Sequence, residues 1–395
     1  MTSFAALSLL LVAQSPGAVI EVSDPESGVA TIACAVRLPK LDSRGAAAVE
    51  MLAKGLEGNT ALFSRLEMRR ICVPGGEPRV SVMPDHLSIQ LTVLPGDVGV
   101  GVRILASMLM SARLDEEAAA RVVEAESLRA LPGWLSIMDD QLRNYSIVKP
   151  NDLRELYALI MRPENVTVAV GGQLEPGVAG RAWVDATSAW KPLRVRPLTV
   201  GWDGKMRSSK GPKYAALVGP EWDAGTQFAP KLLAMVALGS GKGSSLFRVV
   251  RERMALSYRQ DALLWPTSGG WRANLILGLQ PMSGNAEYLA KLGEIKETLL
   301  SDVSAWSEAD LQRAQGYATA LVTRGGEASP LFFRYAGPFT SDVYGQTMMA
   351  AYWKMKTGSE WDAQALSEAF TNVSLEQLRA EAAALLEDSS PTVSG

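Results

Sequence analysis

The sequence predicts an α+β fold made of two homologous halves, each a mostly antiparallel sheet covered by helices. Two observations carry that expectation. Strand-like and helix-like segments alternate along the 395 residues without the strict βαβ rhythm of a parallel sheet. A weak internal repeat also runs through the chain. Leu153-Arg154 precedes Thr167-Val168 by fourteen residues, and Leu378-Arg379 precedes Thr392-Val393 by the same interval. In each copy a helix of amphipathic pattern meets a proline, Pro163 or Pro391, and passes into a short strand. The 225-residue offset fits two halves and a linker.

In order, the first half opens with strands over Ala18–Val22 and Ala30–Leu38, the second an apolar run that buries the Cys34 thiol. A helix over Gly45–Gly55 follows. Pro84-Asp85 then turns the chain into a strand in which Leu87, Ile89, Leu91 and Val93 alternate with polar residues, with His86 at its start. An Ala/Glu/Arg-rich helix spans roughly 115–131, and Val166–Gly171 closes the half. Leu174–Leu198, punctuated by Pro176, Gly177, Pro192 and Pro197, reads as a linker with a little structure of its own. The second half opens with the strand Lys213–Gly219 and continues through a helix before Gly239, a strand starting near Tyr258, and the strand Trp271–Leu277. Long helices follow over Asn285–Ser301 and Glu308–Leu321. The expected boundaries are 16–175, a linker over 176–205, and 206–395. Residues 1–15 form either a signal peptide or an apolar arm: Phe4–Ala13 is long enough for the apolar region of a signal and too short to span a bilayer. A signal would place the protein in the periplasm or outside the cell, an arm in the cytoplasm.

Composition removes several classes of function. A net charge of −3 argues against a nucleic-acid surface, and two cysteines, Cys34 and Cys72, are too few for a disulfide scaffold. One histidine in the whole chain, His86, leaves no Ser/His/Asp or Cys/His set for nucleophilic catalysis.

The most informative stretch is Leu238–Tyr258. It reads as a helix end, a glycine-rich loop Gly239-Ser240-Gly241-Lys242-Gly243, a new helix capped by Ser244 or Ser245, and a strand. Spaced at about 100° per residue, Leu246, Phe247, Val249, Val250 and Met254 form the buried arc. Arg248 and Glu252 lie opposite, with Arg251 at the arc's edge. Gly241-Lys242 is not a phosphate loop, because Gly243 stands where Ser or Thr is needed and Val236 where the first Gly is needed.

This segment resembles the second-domain signature of the pitrilysin/insulinase family of zinc metallopeptidases: a Gly-rich loop, a Leu-Phe pair (Leu246-Phe247), and an Arg followed seven residues later by a Tyr (Arg251 and Tyr258). The loop is most similar to that of the family's non-catalytic subunits, such as the alpha subunit of mitochondrial processing peptidase. The resemblance implies half of a clamshell peptidase, in which two such chains enclose a peptide chamber. It implies that Arg251 and Tyr258 reach the substrate, with Gly239, Gly241, Lys242 and Gly243 contacting peptide. The family's zinc needs H-x-x-E-H on the first long helix. Aligned on Lys54-Gly55, that helix offers Ala46, Val49 and Glu50 instead, and Glu124 or Glu126 would stand at the distal ligand position without histidine partners. The implied protein binds no cofactor itself. Zinc is expected in a partner subunit carrying H-x-x-E-H; the alternatives are self-association, and an inactive scaffold or peptide-binding protein of the same fold. No nucleic acid and no membrane span are expected.

Overall fold

Two sheets carry the fold, and their strand orders repeat one plan. The structure, a computed structural model, describes residues 18–39, 43–114, 150–191, 214–223, 227–280, 282–324 and 342–393. The first sheet contains β1 (Ile20–Ser23), β2 (Ala30–Arg37), β3 (Arg79–Val82), β4 (His86–Val93) and β5 (Val166–Gly172), ordered β1-β5-β2-β4-β3. Only the β1–β5 pairing is parallel. The second sheet contains β6 (Ala215–Asp223), β7 (Ser257–Pro266), β8 (Gly270–Leu279) and β9 (Ser390–Val393), ordered β7-β8-β6-β9 and antiparallel throughout. Matching β2, β4, β3 and β5 to β6, β8, β7 and β9 makes the two orders identical, with β1 added. The sequence repeat survives in register: Thr167 pairs with Ala35, and Thr392 with Ala216. Leu153 and Leu378, its other anchors, are both buried on the helices that lead into those strands.

Alternation along the strands decides which face each sheet buries. Ile32, Cys34 and Val36 of β2, with Leu87, Ile89 and Leu91 of β4, pack beneath α1 (Ser43–Leu56), α3 (Val98–Ser111) and α4 (Pro150–Ile160); the short α2 (Arg65–Ile71) follows α1. Burial pushes the Cys34 thiol well above its ordinary range and Cys72 up to about 11, so neither is a nucleophile. In the second half Ala215, Leu217, Leu275 and Leu277 pack beneath α6 (Phe228–Gly239), α7 (Asn285–Ser304) and α11 (Leu375–Glu387), with α8 (Glu308–Arg324) and α10 (Ala363–Thr371) outside.

The halves are joined by α9 (Val343–Thr357). The first sheet's other face is made of small residues, Ala33, Ala35, Ala169 and Gly171, and α9 lies directly on them. A Cβ on Gly171 would stand 1.8 Å from Thr347 Oγ1, which is why glycine is needed there. Because α9 also enters the second core, Met348, Met349, Tyr352, Trp353 and Met355 are all buried and it shows no polar stripe. Around it, Phe228 and Trp353 stack edge-on at 5.0 Å, Trp353 and Trp361 at 5.1 Å, and Trp271 and Tyr352 at 5.9 Å. Each such pair contributes about 0.5–1.5 kcal/mol beyond area burial.

Within the span 176–205 that the sequence assigns to a linker, α5 (Val178–Thr187) lies on α3 with Trp183 in the first-half core. Residues 192–205 lie outside the described residues, as do 1–15, Glu124 and Glu126. Among the described residues no helix is long and apolar enough to cross a membrane.

Candidate functional site

The glycine-rich loop is shaped by its neighbours. α6 ends at Gly239, where a Cβ would stand 2.2 Å from the Cβ of Ala262, so the helix end lies flat on β7. Gly241 has φ +77°, a left-handed conformation that favours glycine. At Gly243 a Cβ would collide with Arg313 Nε at 2.5 Å. Of the loop's side chains, Lys242 is exposed. The Ser244 hydroxyl donates to the Gly241 carbonyl (2.8 Å) and accepts from the Phe247 N–H (3.3 Å), capping the next helix.

That helix is not the ordinary α-helix its spacing predicts. Phe247–Arg253 is a π-helix, closed by Met254 N–H donating to the Val249 carbonyl at 2.9 Å. Such wide turns are rare and frequent at functional sites. Leu246, Val249 and Val250 are buried as expected. Arg248, expected on the polar face, is instead the anchor of the loop. It donates to Asp302 (2.8 Å), to Asp310 (3.2 Å) and to the Gly243 carbonyl, while Ser245 donates to Asp302 at 2.6 Å and Trp306 Nε1 donates to Ser245 at 2.9 Å. Burial opposes the Asp310 charge, but the Ser307 N–H and hydroxyl, Arg313 and Arg248 outweigh it and hold the carboxyl at about 2. The loop is therefore tied at both ends.

Beyond the π-helix, Ala255 takes φ +55°, a left-handed conformation that costs a non-glycine residue of order 1 kcal/mol. The chain then enters β7 through a register shift between Ser257 and Arg259. Ser257 is buried, its hydroxyl within 2.8 Å of the Gly278 and Arg259 carbonyls. Tyr258 is thrown outward by this bulge and is 77% exposed. Strain and bulge together bring the two residues of the sequence signature into contact. The Arg251 guanidinium lies 5.2 Å from the Tyr258 ring centre and 5.0 Å from that of Phe247, a cation in cation–π range of both rings. Arg251 is exposed and has no carboxylate in ion-pair range among the described residues. Its exposed guanidinium is suited to donate to an oxygen of a bound molecule.

Among its described residues the first half offers no comparable centre. Val49 is fully buried in the core and Glu50 half-buried on α1. His86 is a strand-start residue, as expected, and 1% exposed. Its Nδ1 lies 2.8 Å from Asp85, whose other oxygen accepts from Lys356 at 2.7 Å. His86 also stacks on Tyr352 at 4.7 Å, and Lys356 donates to the Thr267 carbonyl and lies over Trp271 at 5.1 Å. Burial works against the Asp85 carboxylate, but His86 and Lys356 outweigh it and hold its pKa below the ordinary value. This cluster, sealed between the halves, binds them rather than a ligand. Among the described residues no group of three His, Cys, Asp or Glu is placed to hold a metal.

No protein-family model and no curated protein matches the sequence. Solved structures do match along almost the whole chain. A protease from Helicobacter pylori aligns with TM-score 0.70 at 17% identity over 96% of each chain. A peptidase M16 inactive domain from Pseudomonas fluorescens aligns at 0.66, with 13% identity over 94% of each. The fold is that of the M16 peptidases. A putative M16-like peptidase from Alicyclobacillus acidocaldarius agrees, with TM-score 0.67 and 11% identity over 96% of this chain and 95% of that one. A chain of complex III2 from Candida albicans shares the fold at 0.65 and 13% identity, covering 95% and 92%. The architecture of two sheet-and-helix halves implied by the resemblance is thus the observed one. This M16-fold chain carries the Arg/Tyr element and lacks H-x-x-E-H. The sequence singled out Arg251, Tyr258 and the loop, and the structure brings Arg251 and Tyr258 together; it gave no role to Arg248, whose position four residues after the capping Ser244 was the available signal.

Proposed function

We propose that this chain is the non-catalytic subunit of a heteromeric zinc peptidase, supplying half of a peptide chamber while a partner carrying H-x-x-E-H supplies the metal. Arg251 donates to a substrate carbonyl and Tyr258 to the oxyanion that forms on hydrolysis; Lys242 and the backbone of Gly241 and Gly243 line the peptide's path, while Gly239 is buried against β7. The observation that carries this reading is the exposed, carboxylate-free Arg251, fixed against Tyr258 on a strained and bulged backbone. A surface arginine with only a structural task would be expected to find an ion pair, as Arg248 does. One preorganised donor contributes about 3 kcal/mol to a transition state. Arg251→Ala in the assembled complex should lower kcat about a hundredfold or more at unchanged zinc content. Unchanged cleavage would end this reading. A scaffold role is the second reading, favoured by the complex III2 neighbour; it predicts a stable assembly whose properties are indifferent to Arg251→Ala.

A further inference from the structure

The surface around the Arg/Tyr pair is cationic in a chain whose net charge is −3. Lys242 on the loop and Arg251 and Arg253 on the π-helix are exposed, with Glu252 the one exposed carboxylate among them. Of the nearby aspartates, Asp302 and Asp310 accept from Arg248, and Asp310 also from Arg313, while partly buried Asp261 lies near Tyr317, which borders Gly241. Arg253 touches this cluster only at 4.0 Å and stays 60% exposed. Within the span 242–253, Lys242, Arg251 and Arg253 are thus three exposed cations against one exposed carboxylate. Arg251 is suited to an anionic acceptor. It is exposed beside the Phe247 and Tyr258 rings, with no carboxylate among the described residues in ion-pair range. A guanidinium carries enough N–H donors to meet both oxygens of a carboxylate and still donate to a carbonyl.

We infer that the peptide received here is acidic, with a carboxylate seated on Arg251 beside Tyr258 and further negative charge facing Lys242 and Arg253. The inference deepens the reading given under Proposed function and rests on it for the assumption that a peptide reaches this face. Both a side-chain and a C-terminal carboxylate fit the chemistry.

The test uses the purified full chain and fluorescence anisotropy with a labelled, unstructured peptide rich in Glu, its all-Gln and all-Lys counterparts, a C-terminally amidated form, and oligothymidylate as a non-peptide polyanion. The Glu peptide should bind about tenfold more tightly than the Gln peptide, and the margin should shrink as salt rises. Arg251→Gln should abolish the preference, and Lys242→Gln with Arg253→Gln should reduce it while circular dichroism stays unchanged. Amidation that removes the preference assigns the site to the C-terminal carboxylate; amidation without effect assigns it to side chains, and either outcome supports the carboxylate site. Equal binding of the Glu and Gln peptides, or oligothymidylate binding as tightly as the Glu peptide, overturns it. Because no cleavage is measured, that failure leaves the catalytic role of Arg251 standing. Conversely, an Arg251→Ala complex of undiminished activity removes that role without touching an acidic-peptide preference.

Discussion

Replacing Lys356 by Met removes one partner of an ion pair whose members are both almost sealed from water: Asp85 is 3% exposed, and the Lys356 side chain 6%. Met has nearly the length of Lys, so packing against Trp271 is largely kept. What is lost is the 2.7 Å contact to Asp85, the hydrogen bond to the Thr267 carbonyl, and the cation over Trp271. Asp85 then keeps His86 but loses its cationic partner, leaving a buried carboxylate only partly compensated. Breaking a buried pair in this way costs about 3–5 kcal/mol. The double variant Asp85→Asn/Lys356→Met removes the stranded charge while still accepting from His86, and should recover most of the loss. Urea unfolding at pH 7, followed by tryptophan fluorescence and far-ultraviolet circular dichroism, reads both effects, and any separation of the two curves reports the halves unfolding apart. The sign with pH is fixed by Asp85, whose folded pKa lies below its unfolded value near 3.9. Its contribution is present above that value and lost as pH falls through the lowered one, so wild type and Lys356→Met should begin to converge as pH drops below about 4. A single variant within 1 kcal/mol of wild type, or a double variant no better than the single, would refute the reasoning.

Arg248→Ala should free the glycine-rich loop, costing about 1–3 kcal/mol and raising amide exchange at Gly241–Ser244 while distant strands stay protected. Gly171→Ala forces a methyl into Thr347 and should destabilise by about 1–3 kcal/mol, read as a lower Tm. Burial raises the Asp261 carboxyl to about 7, against the Ala262 N–H that pulls it down. The native state then retains a proton that the unfolded chain loses, so stability should fall as pH rises from about 4 to 7. Asp261→Asn should flatten that slope and be the more stable protein at pH 8, measured by denaturant midpoints at each pH.

Strands were legible wherever one face is buried, as in β4, where Leu87, Ile89, Leu91 and Val93 alternate with polar partners. The repeat was legible because a helix leading into a closing strand recurs in both halves, and Thr167 and Thr392 each pair with an alanine of the strand beside the closing one. α9 escaped because a helix buried on two sides, between the first sheet and the second core, has no polar stripe to mark its period. The linker reading over 176–205 rested on Pro and Gly, which flank α5 without preventing Trp183 from joining the first core. In the site, residue types and the Arg251/Tyr258 spacing were readable, but their placement was not. A π-helix and a bulge depend on tertiary anchors such as Arg248 on Asp302 and Ser257 on Gly278, which no local pattern encodes. Lys356 lay beyond reach for the same reason, since its partner Asp85 is 271 residues away.

The most direct test of the central claim is peptidase activity of this chain alone, of an H-x-x-E-H homologue from the same source alone, and of the two mixed, each with and without a chelator. Activity in the mixture alone, abolished by the chelator, is the predicted result for a metal-free subunit that completes a zinc peptidase. A mixture that neither associates nor cleaves peptide would contradict it.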